Sequence, residues 1–142
     1  MYTDNKVVIT WEAETTQPVA IKRGLRQGCP RSPLLFMIYL SKMEKKLEQC
    51  NLGFDVSYME KGRNVVQVIP GLMYADDIVL MAGNQDTLQE LAGICGEEGD
   101  TLGMIFSSDK SGVMVLNDEK RETLRIQDVV IDHVGKYKFR GV

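Results

Sequence analysis

Residues 72–80 read LMYADDIVL, two adjacent aspartates inside an otherwise apolar stretch. In a continuous strand, neighbouring side chains point to opposite faces, so one carboxylate of such a pair would be driven toward the core without compensation. A turn removes that difficulty. Alternation relaxes there, and Asp suits turns because its side chain bonds nearby backbone. An Asp-Asp turn can be purely structural. Here, however, apolar residues press on both sides and no Gly or Asn adjoins the pair to share the turn. Two carboxylates converging on one point require a cation or a proton. A pair of Mg²⁺ ions bridging carboxylates and phosphate oxygens is the commonest chemistry that wants this arrangement.

The rest of the chain narrows the metal and the setting. With 142 residues, 44% hydrophobic and 26% charged, it fits one globular domain with a real core. Cys29, Cys50 and Cys95 are odd in number, widely spaced and without a CxxC pair, and His133 is the single histidine. That excludes an obvious zinc site or disulfide framework and leaves a hard, oxygen-ligated ion as the only metal to expect. No apolar run approaches the roughly 20 residues of a membrane span, and MYTDNKVVIT lacks the layout of a signal peptide. The expected location is intracellular, in nucleus or cytoplasm. A net charge of −3 argues weakly against a free-standing nucleic-acid binder. Its distribution is more informative. No acid occurs from Thr15 to Met43, where Lys22, Arg23, Arg26, Arg31 and Lys42 lie.

VVITWEAET and QPVAIKRG predict a β-hairpin over residues 6–22, followed by the Gly- and Pro-rich loop GLRQGCPRSP. Ser32 as N-cap and Pro33 at the first helical position open a helix running to about Cys50. Leu34, Leu35, Ile38 and Leu47, with Met37 and Met43, form its expected core face, and the charges of SKMEKKLEQ the far side. Residues 51–64 read as a loop with a possible short strand in FDVSYM. NVVQVIPGLMY and DDIVLMAG are the two arms of a hairpin with its tip near Tyr74 to Asp77. NQDTLQELAGICGEEGDTLG is a second amphipathic helix, weakened by Gly93, Gly96 and Gly99 at around 1 kcal/mol each. MIFSSDKSGVMVLN ends in a strand, and short strands are expected at LRIQDVVID and KYKFRGV. The order predicts an α+β fold, with helices on one face of a mainly antiparallel sheet.

Four blocks give these elements a resemblance. Tyr74-Ala75-Asp76-Asp77 resembles the YADD active-site motif of reverse transcriptases. RGLRQGCPRSPLLFMIYL (23–40) is very similar to the upstream block of the non-LTR, LINE-like retrotransposon enzymes. LGMIFSSDKSGVMVLN (102–117) resembles their lysine-bearing block, and YKFRGV (137–142) the block that grips the primer end. The resemblance implies a polymerase palm-like sheet and RNA-directed DNA polymerase activity, a nucleotidyl transfer to a primer 3′-hydroxyl. Its partners would be an RNA template, a DNA primer and a deoxynucleoside triphosphate, and its cofactor Mg²⁺ (or Mn²⁺), two ions in the complete enzyme. Asp76 would ligate both metals and Asp77 would assist, with Tyr74 and Ala75 beside primer terminus and nucleotide. Gln27 and Gly28 match the loop lining the nucleotide and template, Arg26 adjoins it, and Lys110 matches a lysine placed to protonate the leaving pyrophosphate. A glycine there lets backbone approach a ligand, and the following helix start favours phosphate.

The match is incomplete. Two-metal transfer draws carboxylates from more than one strand, and the family's F-x-D block has no counterpart ahead of Gly24, where Asp4 is the only Asp. The chain therefore reads as a partial domain over residues 1–142, lacking fingers, first catalytic strand and thumb, and as inactive by itself. Arg31, Ser107 and Arg140 stand where leucine, asparagine and leucine are usual, as in a decaying copy. The alternative reading is a non-catalytic, degenerate retroelement remnant acting at most as a folded interaction module. A two-metal nuclease is the other enzyme rival, with the same shortage of carboxylates.

Overall fold

The computed structural model describes residues 6–21, 24–25, 28–117 and 122–137. The chain divides into two compact units, Met1–Phe36 and Met37–Val142.

The first unit carries a β-hairpin built as two nested ladders. Strand β1 (Lys6–Val7) pairs with β4 (Val19–Ala20), and β2 (Thr10–Trp11) pairs with β3 (Glu14–Thr15), all antiparallel. Between the ladders Thr16 donates its backbone N–H to the Ile9 carbonyl at 3.0 Å, and its hydroxyl accepts from Ile9 N–H at 3.1 Å. The hairpin expected over 6–22 is therefore present, and every residue of its four strands is exposed.

Helix α1 (Ser32–Gln49) crosses the boundary between the units. Its first bond runs from Leu35 N–H to the Arg31 carbonyl, so Ser32 is a helical residue rather than the expected cap. Its core face also differs from expectation. Leu40, Met43 and Leu47 are buried, whereas Leu34, Met37 and Ile38 are each at least 60% exposed. At about 100° per residue these trios fall on different sides of the helix, and only one can face α2. Abundant apolar residues on two sides hid which stripe the core would use.

Helix α2 (Gln85–Leu102) fills the stretch expected as the second amphipathic helix, and both its ends are capped. The Asn84 side chain accepts from Thr87 N–H at 2.9 Å, an N-cap. Gly103 adopts the left-handed conformation (φ 66°), its N–H bonding the Asp100 carbonyl while Met104 N–H bonds Gly99 at 2.8 Å. That pair of bonds is a Schellman closure. Leu91, Ala92 and Cys95 of α2 meet Met43 and Leu47 of α1 in one buried cluster.

The two helices run antiparallel, held by polar contacts at the edge of that cluster. The Tyr39 hydroxyl donates to the Leu102 carbonyl. About one and two turns further along α1, Lys42 lies 3.4 Å from one Glu98 carboxylate oxygen and Lys46 pairs with the other. Glu98 is 1% exposed. The lysines assigned to a solvated far side thus hold a buried carboxylate, and the Lys46 ammonium keeps Glu98 below the usual carboxylate range while Lys46 is itself raised.

Strands β5 (Phe54–Glu60) and β6 (Arg63–Ile69) form a seven-rung antiparallel ladder closed by Lys61 and Gly62, both at positive φ. This bears out the strand expected in FDVSYM and corrects the rest of the loop expected over 51–64. It also splits NVVQVIPGLMY, because Pro70 separates β6 from β7 (Gly71–Tyr74), which pairs instead with β8 (Asp77–Leu80). After a 3₁₀ turn at Ser108–Lys110, the expected strand in MIFSSDKSGVMVLN is reduced to one bridge, Val113 with His133. LRIQDVVID forms a second hairpin, β9 (Leu124–Ile126) with β10 (Val129–Ile131). Of KYKFRGV, residues 138–142 lie outside the described residues. The class is α+β, but the described strands make five two-stranded ladders instead of one continuous sheet.

Glutamines of α2 dock the β9–β10 hairpin. Gln89 exchanges two hydrogen bonds with the backbone of Arg125 (2.8 and 2.9 Å), and Gln85 does the same with Glu122, so both side-chain amides imitate a partner strand. Gln127, at the hairpin turn, donates to Asp100 Oδ1 at 2.7 Å and to the Met104 carbonyl at 2.9 Å. The helix glycines permit this approach. A Cβ on Gly96 would lie 3.0 Å from Gln127 N, and one on Gly99 would lie 2.8 Å from Phe106 Cε2, whereas one on Gly93 would meet nothing within 4 Å.

Two outcomes follow from this packing. Gly93→Ala should raise stability by about 0.5–1 kcal/mol through helix propensity. Gly96→Ala and Gly99→Ala should instead lose about 1–3 kcal/mol to overpacking, which outweighs the same propensity gain; urea midpoints of the three variants measure the contrast. The depressed Glu98 group contributes stability that is present above its ordinary value of 4.5 and lost as pH falls through its lower folded value. Thermal midpoints followed from pH 6 to pH 2 should therefore fall more steeply for the native chain than for Glu98→Gln.

Candidate active site

The aspartate pair sits at the tip of the β7–β8 hairpin. Tyr74 and Asp77 form the last rung, so Ala75 and Asp76 are a two-residue loop. Ala75 has φ 53°, and Asp76 is not at positive φ. A positive φ at the first loop position of a two-residue hairpin is usually supplied by glycine or asparagine. With no Gly or Asn adjoining the pair, an alanine takes the left-handed conformation at about 1 kcal/mol. Such strain persists only where the surroundings fix it.

The register supplies that fixing. Met73 pairs with Ile78, and Gly71 with Leu80, placing these four on one face by strand alternation. Met73, Ile78 and Leu80 are partly buried and pack against the α1–α2 cluster. Leu72, Tyr74, Asp77 and Val79 share the opposite face, where Leu72 and Tyr74 are more than half exposed. Gly71 is needed for the close approach of the two strands, because a Cβ there would lie 2.1 Å from the Val79 carbonyl oxygen. One face of the hairpin therefore anchors it and the other presents the polar tip. These anchoring residues were absent from the sequence-derived site, although the alternation of Met73, Ile78 and Leu80 about the tip was the signal for them.

Asp76 and Asp77 are both exposed. The desolvation cost raised by their apolar neighbours is thus avoided, since those neighbours turn away into the core while the carboxylates stay in water. Their oxygen donors suit a hard cation that keeps several waters and takes one or two carboxylates together with substrate phosphates. Among the described residues no group of three or more His, Cys, Asp or Glu could hold a metal. The pair fits part of a metal site, and no described carboxylate completes an all-protein cage.

The other expected site residues divide. Gly28 is exposed at φ 79°, a backbone that favours glycine, with open space where a Cβ would stand. Arg26 and Gln27 lie outside the described residues. Lys110 is exposed at the end of the 3₁₀ turn, and its carbonyl accepts from the Tyr137 hydroxyl. No ion pair joins Lys110 to Asp76 or Asp77. An open cleft of about 400 Å³ beside the start of α2, lined by Asn51, Phe54, Asp55, Asn84 and Thr87 among others, contains none of the expected site residues. Among the described residues no helix is long and apolar enough to cross a membrane.

Comparison with known proteins agrees with the family resemblance. The family model for reverse transcriptase (RNA-dependent DNA polymerase) matches residues 2–142. The chain is 29% identical over 133 residues to the retrovirus-related Pol polyprotein from type-1 retrotransposable element R2 of Nasonia vitripennis. That alignment covers 84% of this chain and 12% of the relative, so the chain spans a small part of the relative's length. No solved structure matches. A match across nearly the whole sequence, with YADD on an exposed, core-anchored turn, assigns the chain: it belongs to the reverse transcriptase (RNA-dependent DNA polymerase) family.

Proposed function

We propose that this chain provides the carboxylate hairpin of an RNA-directed DNA polymerase, a nucleotidyltransferase that extends a primer 3′-hydroxyl along an RNA template. The observation carrying this reading is the two-residue turn that sets Asp76 and Asp77 in solvent while Met73 and Ile78 tie the hairpin to the core. Asp76 and Asp77 would hold Mg²⁺ or Mn²⁺. Bound divalent ions in such a site activate the attacking hydroxyl and stabilise charge on the pyrophosphate leaving group.

The remaining roles fall to the chain's own groups. Tyr74, on the same hairpin face as Asp77, flanks primer terminus and nucleotide, and Ala75 lets the backbone of the turn come close to them. Gly28, with Arg26 and Gln27 beside it, lines the nucleotide and template. Lys110 donates a proton to the departing pyrophosphate. RNA template, DNA primer and deoxynucleoside triphosphates are the implied partners, in an intracellular setting. The hairpin, α1 and α2 belong on this reading to a palm-like region. Since the described residues offer two carboxylates from one turn, the isolated chain is proposed to bind metal weakly and not to polymerise. A non-catalytic folded module is the second reading, favoured by the same shortage of carboxylates.

Calorimetric titration with Mg²⁺ and Mn²⁺, paired with primer extension on an RNA template, tests both statements. The expected result is weak binding that Asp76→Asn removes, with no templated extension. Binding unaltered by Asp76→Asn would remove the pair as a metal site, and extension abolished by Asp76→Asn would show the isolated chain to be an active polymerase.

A further inference from the structure

None of the three cysteines is in a disulfide. Two of them nevertheless fall on one line of contacts. Along α1, Lys42, Lys46 and Cys50 recur at four-residue spacing and so share one side of the helix, with Cys50 continuing the last turn through its N–H bond to the Lys46 carbonyl at 3.1 Å. Along α2, Leu102, Glu98 and Cys95 recur at four- and three-residue spacing on the side facing α1. The helices are antiparallel, with Tyr39 on Leu102 and Lys42 and Lys46 on Glu98. Continued by one turn, this register directs Cys50 toward Cys95. Both lie in the same apolar cluster, Cys95 at its centre with no exposure and Cys50 packed against it.

We propose that Cys50 and Cys95 are a redox-responsive pair, closing a reversible disulfide that ties the end of α1 to the middle of α2. The electrostatic influence of Cys50 on Cys95 supports their proximity, and burial pushes the Cys95 thiol up to about 12. The exposure of the two thiols orders the chemistry. Cys50, half-buried with its Sγ–H donating to the Leu47 carbonyl at 3.0 Å, is the accessible thiol. Its thiolate attacks a small disulfide oxidant RS–SR, forming a mixed disulfide at Cys50 and expelling one RS⁻. Cys95 then loses its proton to solvent, and its sulfur displaces the second RS⁻. Overall, two protein thiols and RSSR give one protein disulfide and two RSH. Intracellular disulfides outside special organisms are usually transient and redox-sensing, which suits a pair that is reduced at rest.

The test treats the native 142-residue chain with oxidised glutathione and maps the unreduced peptides by mass spectrometry. The expected product is one intramolecular link between the Cys50 and Cys95 peptides, formed in the folded protein, reversed by dithiothreitol and accompanied by a higher thermal midpoint. Because closure uses the Cys95 thiolate, its rate should rise about tenfold per pH unit from 7 to 9. Persistent glutathione on Cys50 with Cys95 still open to alkylation after unfolding would overturn the proposal. So would a link that forms in urea but not in the folded chain. In Cys50→Ser, folded Cys95 should resist the oxidant; capping at the native Cys50 rate would contradict the assigned order.

Discussion

A carboxylate that is 1% exposed holds two helices in register. Glu98 sits on α2 among glycines and apolar residues, and Lys42 and Lys46 reach it from successive turns of α1. Burying a charge with no partner is costly, while a paired one fixes the geometry of whatever carries its partners. Beside this pairing Leu40, Met43 and Leu47 are buried, whereas Leu34, Met37 and Ile38 stay exposed. Everything that rests on the α1–α2 cluster depends on that arrangement, including the inner face of β7–β8.

The aspartate turn depends on the core at one remove. A two-stranded hairpin is marginal by itself, and a left-handed alanine at its tip adds strain. Met73, Ile78 and Leu80 offset both by docking on the cluster. Asp76 and Asp77 are thereby held at a defined place without being buried. The β5–β6 ladder is built differently. It contributes no residue from 54 to 69 to that cluster, so its order comes from its own seven rungs.

Much of this was legible in the sequence where local chemistry decides the outcome. The stretch from Asn84 to Gly103 holds α2 as its amphipathic pattern implied, and the YADD tip fell between Tyr74 and Asp77 as the apolar arms implied. What was not legible depends on distant partners. Nothing local in SKMEKKLEQ says that two of its lysines meet a glutamate more than fifty residues away. Gly96 and Gly99 look like helix defects until Gln127 and Phe106 are seen against them. Residues 51–64 resembled a loop because polar and charged residues punctuate them; the Lys61-Gly62 turn they contain is what closes a hairpin. At the site, the turn was readable from residues 72–80, whereas the exposure of its two carboxylates was not, and the anchoring by Met73 and Ile78 was readable only as a pattern. The role of Gly71 needed the ladder register.

Through the core, the α1–α2 clamp fixes the position of the aspartate turn. Amide hydrogen exchange, read residue by residue in the native chain and in Glu98→Gln at neutral pH, tests it most directly. Exchange is expected to be faster in α2 and, together with it, across residues 71–80, while the β5–β6 ladder keeps its native protection. Loosening of α2 with residues 71–80 unchanged would contradict it, because the hairpin would then hold its two aspartates without help from the clamp.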